Sequence, residues 1–152
     1  TRVPEYIQEK EHVDKLVGQI NGRFSEAGWS PIRYLYRSYP QDQLACFYSI
    51  SDVCMVTPLR DGMNLVAKEF ITSQGDKPGA LVLSKFSGAA SSMPDALLVN
   101  PYDVEGTAEI AYKALRMSES ERRLRWESLM KVVASHTANS WSDAFQSDLV
   151  YS

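Results

Sequence analysis

Four apolar residues, Val53 to Val56, run into a Thr57-Pro58-Leu59 break, and helical periodicity begins almost at once beyond it. A short buried run, a tight loop and a helix start confine this segment to one kind of architecture. It is a strand covered on both faces, followed by a helix that lies back on its own sheet. Setting Arg60-Asp61-Gly62-Met63-Asn64-Leu65-Val66-Ala67-Lys68-Glu69-Phe70 on a helix at about 100° per residue places Asp61, Leu65 and Glu69 within a sector of about 80°. Asn64 and Lys68 flank that sector, while Met63, Val66, Ala67 and Phe70 gather on the opposite side. The expected helix has an apolar back for the sheet and a front carrying carboxylates about two turns apart.

Such a front suits a nucleotide-sugar. The free amides and positive dipole end of a first helical turn stabilise a phosphate by about 0.3–2 kcal/mol from the dipole alone. Each amide bonded to a charged oxygen adds about 1.5–3 kcal/mol. Gly62 lets backbone approach a ligand without a Cβ. A carboxylate ahead of the turn can accept sugar hydroxyls, and one two turns deeper can take a ribose diol. The same residues also fit a plainer reading, with Asp61 as a helix cap and Glu69 as a solvated surface charge.

Strand and helix patterns alternate along most of the chain. A first helix is expected over 4–24, with Val13, Leu16, Val17, Ile20 and Phe24 at helical spacing and Gly28 closing the turn after it. Strands are expected over 32–36, 53–56, 80–83 and 96–99, and the last three are uninterrupted apolar runs. Helices over 41–48, 64–73 and 104–116 connect or follow them, with room for only a short helix in the loop 84–94. The pattern predicts an α/β fold, a Rossmann-like doubly wound parallel sheet with right-handed crossovers. The last third reads as helical: Ser118-Glu119-Ser120-Glu121 is a capping box ahead of Trp126, Leu129, Met130 and Val133. Ser140 then caps a final helix with Trp141, Ala144, Phe145 and Leu149. Gly75-Asp76-Lys77-Pro78-Gly79 reads as a surface turn. A division follows: a partial nucleotide-sugar-binding domain over 1–116 and C-terminal helices over 117–152.

Bulk properties exclude several function classes. A net charge of −3 gives no basic footprint for nucleic acid. No apolar run approaches the roughly 18 residues of a membrane span, and no signal-peptide pattern is present. Cys46 and Cys54 are expected to be reduced core thiols in a cytoplasmic protein. His12 and His136 have no Cys or His close enough in sequence to suggest zinc, and no metal or other cofactor is expected.

The decapeptide Arg60 to Glu69 resembles the donor-binding signature of the trehalose-6-phosphate synthases, retaining glycosyltransferases of the GT-B fold. Gln19-Ile20-Asn21-Gly22-Arg23-Phe24, Gly28-Trp29-Ser30-Pro31-Ile32 and Leu81-Val82-Leu83-Ser84 fit the same pattern. So do Phe86-Ser87-Gly88-Ala89-Ala90, Leu98-Val99-Asn100-Pro101-Tyr102-Asp103 and Trp141-Ser142-Asp143-Ala144-Phe145, in family order. The resemblance covers nearly all of the chain. It implies transfer of glucose from UDP-glucose to glucose-6-phosphate with the anomeric configuration retained. Carried across by position, Tyr39 would contact the uracil base. Asp61, Gly62, Met63 and Asn64 would hold the donor glucose, with Asp61 the residue orienting its ring for catalysis. Leu65 and Val66 would offer backbone amides to the diphosphate, Glu69 would bind the ribose, and Arg2 resembles an arginine that grips the acceptor phosphate.

The family chemistry uses no paired carboxylates at the sugar; the departing diphosphate assists attack on the same face while the protein positions substrates and stabilises charge. A whole enzyme of this kind has two Rossmann-like halves. By that measure this chain lacks the acceptor half and the start of the donor half, with the arginine and lysine that reach the diphosphate. The isolated chain is therefore expected to have little or no transferase activity. The expected partners are the two small-molecule substrates, the missing N-terminal half and, as an open possibility, further copies of the chain, with no nucleic acid or membrane. A glucosylglycerol-phosphate synthase-like enzyme and a non-catalytic, regulatory synthase-like subunit share the same scaffold. Without the resemblance, a flavodoxin-like signalling domain would fit the strand order but would want an acidic cluster at the strand ends.

Overall fold

The computed structural model describes residues 4–135. They divide after Ser38 into two compact units. The first holds helix α1 (Pro4–Phe24) and the segment that follows it. Gly28 takes a φ of 80° and closes the turn, with Glu26 and Trp29 bonded to each other across it. The segment 32–36, expected as a strand, forms none. A strand needs a neighbour to pair with. Here the backbone of Ile32 spends its hydrogen bonds on a side chain: its N–H donates to Asn21 Oδ1 at 3.0 Å, and its carbonyl accepts from Asn21 Nδ2 at 2.9 Å. Arg37-Ser38-Tyr39 therefore does not follow a strand, contrary to expectation.

The second unit is an α/β layer. In chain order it contains α2 (Gln41–Ser49), β1 (Val53–Val56), α3 (Leu65–Ser73), β2 (Ala80–Ser84), a 3-10 turn (Gly88–Ser91), β3 (Leu97–Val99), α4 (Val104–Arg116) and α5 (Glu119–Ser135). The three strands are parallel in the order β1-β2-β3, with Val53 opposite Ala80 and Val82 opposite Leu97. Side chains alternate across this sheet, and both faces of β2 are covered, whereas in β1, expected to be buried on both faces, Met55 is 48% exposed. Val56, Leu81 and Leu83 pack with Ala67, Phe70 and Ile71 of α3, with Ala89 and Ala90 of the 3-10 turn, and with Leu129 of α5. Ala80, Val82, Leu97 and Val99 pack on the other side with Ala114 of α4 and with Met117.

The apolar back of α3 is rotated from the expected one. Ala67, Phe70 and Ile71 are buried, whereas Val66 is 41% exposed and Met63, ahead of the helix, 57%. The helix starts at Leu65 and not at Asp61, so helical angles do not apply to the residues before it. The turn at 75–79 is a surface turn only in its first half. Pro78 and Gly79 are buried, and a Cβ on Gly79 would come within 2.3 Å of the Ser51 carbonyl. Gln74 closes that turn by accepting from the Gly79 amide at 2.7 Å.

Half of the expected capping box forms: the Glu121 amide donates to Ser118 Oγ at 3.2 Å, while the Glu121 carboxylate pairs with Arg125. Trp126 and Leu129 then seat α5 on α3, the Trp126 indole N–H donating to the Ile71 carbonyl at 2.9 Å. That bond is a second one on the Ile71 carbonyl, which also accepts from the Gln74 amide at 3.4 Å. Both cysteines are free, but Cys46 is exposed on α2 and is no core thiol. An amphipathic helix of nine residues presents Cys46 to solvent while Tyr48 and Leu44 turn inward. No described helix is long and apolar enough to cross a membrane. His136 and the expected final helix from Ser140 lie outside the described residues.

Candidate functional site

In a parallel sheet the loops leaving the carboxyl ends of the strands converge on one edge, and ligands of open α/β sheets bind there. Here the converging loops are 57–64 after β1, 85–87 after β2 and 100–103 after β3. The first two are bonded to each other. The Asp61 amide donates to the Phe86 carbonyl at 3.4 Å, and the Gly88 amide donates to the Asp61 carbonyl at 2.9 Å. The approach is so close that a Cβ on Gly88 would lie 2.0 Å from the Gly62 carbonyl oxygen. Phe86 and Tyr102 meet edge to face at 5.8 Å and form an exposed aromatic flank where β2 and β3 end.

Asp61 organises this loop. Its Oδ1 accepts from the amides of Met63 and Asn64, each at 3.1 Å, and its Oδ2 accepts from Asn64 Nδ2 at 2.8 Å. These bonds, that from the Asn64 side chain foremost, hold the Asp61 carboxyl below its ordinary pKa. Three of about four acceptor positions on a carboxylate are thus taken, leaving room for roughly one more donor.

Asn64 is the helix cap. It adopts φ 65° and ψ 89°, the one positive φ outside glycine among the described residues, and its Oδ1 accepts from the Ala67 amide at 2.9 Å. Asparagine tolerates the left-handed region better than most residues, and its side chain here satisfies both neighbours at once. Ala67 is the third helical residue. The amides of the first two, Leu65 and Val66, find no acceptor among the described residues. Both residues are exposed, so a pair of open donors faces solvent at the positive end of α3.

Glu69 lies one turn further along α3, half-buried, with its Oε2 at 3.4 Å from the Tyr48 hydroxyl. Tyr48, Gln41 and Leu44 of α2 share a small crevice with it. Burial and the Glu69 charge raise the Tyr48 pKa, so this phenol remains a donor. Tyr39 is half-buried ahead of α2, its ring edge-on to Phe47 at 5.3 Å. Residues 61–66 are therefore contiguous at one helix start and Glu69 is on the same helix; Arg2 lies outside the described residues. No group of His, Cys, Asp and Glu able to hold a metal occurs among the described residues.

Three features of the site escaped the sequence. The protein's own tight position is Gly88, where a Cβ would press on the Gly62 carbonyl; Gly62, read as the glycine that lets a ligand approach the backbone, has nothing within 4 Å of an added Cβ, which leaves that approach open. Ser87, buried beneath this junction, has a hydroxyl with no hydrogen-bond partner among the described residues. Tyr48 carried no signal beyond being an inward position of α2.

The chain matches glycosyltransferase family 20 over residues 1–151. It is 45% identical over its whole length to the bifunctional trehalose-6-phosphate synthase/phosphatase of Thermoproteus tenax, of which it spans 20%. Among solved structures, it is 41% identical to the E. coli trehalose-6-phosphate protein bound with UDP-2-fluoro glucose. There the TM-score is 0.93, with 98% of this chain and 34% of that one covered. With the UDP-forming alpha,alpha-trehalose-phosphate synthase of Burkholderia xenovorans in complex with glucose-6-phosphate it shares 42% identity. The TM-score is again 0.93, over 98% of this chain and 33% of that one. It thus spans between 20% and 35% of the proteins it matches. On the match across residues 1–151 and the 45% identity over its whole length, the chain belongs to glycosyltransferase family 20.

Proposed function

We propose that this chain is the donor-binding part of a retaining glucosyltransferase that moves glucose from UDP-glucose to glucose-6-phosphate, giving trehalose-6-phosphate. The observation that carries the reading is the pair of open amides at Leu65 and Val66, at the carboxyl edge of a parallel sheet. Two amides on a diphosphate supply several kcal/mol, on the order of 1.5–3 each, with no side-chain charge required. On this reading Asp61, Gly62, Met63 and Asn64 lie along the glucose, and the remaining acceptor position of Asp61 takes a sugar hydroxyl. Asp61 orients the ring and is no nucleophile, since its oxygens are occupied in holding the loop. The leaving diphosphate assists attack from the same face, which retains configuration. Glu69 takes the ribose and Tyr39 the base, Arg2 meets the acceptor phosphate, and the reading calls on no metal. Likeness to structures bound with UDP-2-fluoro glucose and glucose-6-phosphate supports the choice of both substrates. A cytoplasmic setting agrees with the two free thiols.

Titrating the protein with UDP while following backbone amide resonances tests the site. The Leu65 and Val66 amides should shift first, UMP should shift them far less, and Asp61→Ala should leave nucleotide binding weakened. Shifts confined to other loops would refute the placement. Trehalose-6-phosphate formed by these 152 residues alone, in an assay with both substrates, would refute the need for the rest of the enzyme.

A further inference from the structure

We propose that Tyr48 is a positioning residue for the donor, its hydroxyl holding the Glu69 carboxylate where that group meets a ribose diol. The inference rests on the reading of Glu69 given above. Tyr48 is fixed by groups of α3 and its cap on three sides. Its ring stands at 90° to Phe70 with centroids 6.3 Å apart. Its carbonyl accepts from Gln74 Nε2, and Gln74 is itself tied to the Gly79 amide. Its hydroxyl faces Glu69 Oε2 at 3.4 Å, and Oε1 has no donor among the described residues.

A rigid donor on one carboxylate oxygen leaves the other for a ligand and narrows the rotamers Glu69 must lose on binding. Because burial and the Glu69 charge keep the phenol protonated, it can only donate to that carboxylate. The 3.4 Å separation is longer than a closed O–H···O bond and is the slack that ligand binding takes up. The crevice that both side chains line, with Gln41, Leu44, Ala45, Thr72 and Ser73, is open beside them.

The test is affinity for UDP against 2′-deoxy-UDP, read by amide resonances on the 152-residue protein. Tyr48→Phe keeps the ring on Phe70 and removes only the hydroxyl. It should weaken UDP about 3- to 10-fold, leave 2′-deoxy-UDP unchanged, and so lower the preference for the ribonucleotide. Glu69→Ala should abolish that preference, and adding Tyr48→Phe to it should change nothing further. Glu69→Asp, which withdraws the carboxylate from the hydroxyl but keeps its charge, should likewise become insensitive to Tyr48→Phe. Should Tyr48→Phe retain the wild-type preference while Glu69→Ala loses it, the inference falls and Glu69 remains a ribose ligand. Should Glu69→Ala keep the preference, or the wild type show none, the reading of Glu69 falls and takes Tyr48 with it.

Discussion

The side-chain amide of Asn64 donates to Asp61 Oδ2 at 2.8 Å while its carbonyl oxygen accepts from the Ala67 amide at 2.9 Å. One residue thereby closes the loop behind it and caps the helix ahead of it, and it does so in a left-handed conformation. Replacing it removes both bonds. Asn64→Ala should cost about 1–2 kcal/mol for the cap. Forcing Ala into the left-handed region should add about 1 kcal/mol. Asn64→Gly loses the same bonds without the backbone penalty, so it should be the more stable of the two by about 1 kcal/mol in urea unfolding. Equal stabilities would mean that the left-handed conformation is not held in solution.

Acid should act on the same loop. The Asp61 carboxyl is held below its ordinary pKa by the Asn64 side chain and the Met63 amide, so protonating it is harder folded than unfolded. Its contribution is therefore complete above the ordinary value of about 3.9 and is lost as pH falls through the lowered folded value. Thermal unfolding of Asp61→Asn should show a shallower loss of Tm on acidification from about pH 5 than the wild type does. A parallel pair of curves would sink the assignment of this carboxylate as a loop anchor.

Two glycines in the site should respond oppositely. A Cβ on Gly88 would lie 2.0 Å from the Gly62 carbonyl, so Gly88→Ala must part the two loops, at a cost of about 1–3 kcal/mol or more. A Cβ on Gly62 meets nothing, and Gly62→Ala should leave stability within about 0.5 kcal/mol. On the proposed placement of the glucose, its effect should appear only in binding of UDP-glucose. Chemical denaturation beside a UDP-glucose titration separates the two outcomes. A Gly62→Ala protein that binds UDP-glucose as the wild type does would show that the donor does not lie against this backbone.

What the sequence made legible was whatever is periodic. β1 and α4 fall on the expected residues, and β2 and α2 run one residue longer, because apolar runs and amphipathic stripes are local signals. The segment 32–36 misled because alternating bulky residues announce an extended chain, while pairing depends on a neighbour the segment cannot specify. The back of α3 was misplaced because Met63, which precedes the helix, was counted into it, which drew the stripe toward Val66 and away from Ile71. The site residues 61–66 were legible as a group. The amides of Leu65 and Val66 were singled out through the resemblance, but the cap was not: that Asn64 rather than Asp61 caps the helix depends on one φ angle. The contacts of Gly88 with Gly62 and of Tyr48 with Glu69 were not legible for a different reason: each is made with a partner many residues away.

The two thiols offer a last test of how the second unit is built. Cys46 is exposed on α2, whereas Cys54 lies in β1 and burial pushes its pKa up to about 11. Only thiolate reacts, so a disulfide reagent near neutral pH should label Cys46 quickly and Cys54 at the rate of unfolding. The pH dependence follows with its sign. The unfolded thiol ionises near its ordinary value while the folded one holds its proton to about 11, so the folded state carries more protons between them. Stability is then complete below the ordinary value and declines as pH rises toward the folded one. Cys54→Ala should remove that alkaline decline, and Cys46→Ala should leave it unchanged. Comparable labelling of both cysteines in the native protein would show that β1 does not have the cover drawn for it by α3 and α5.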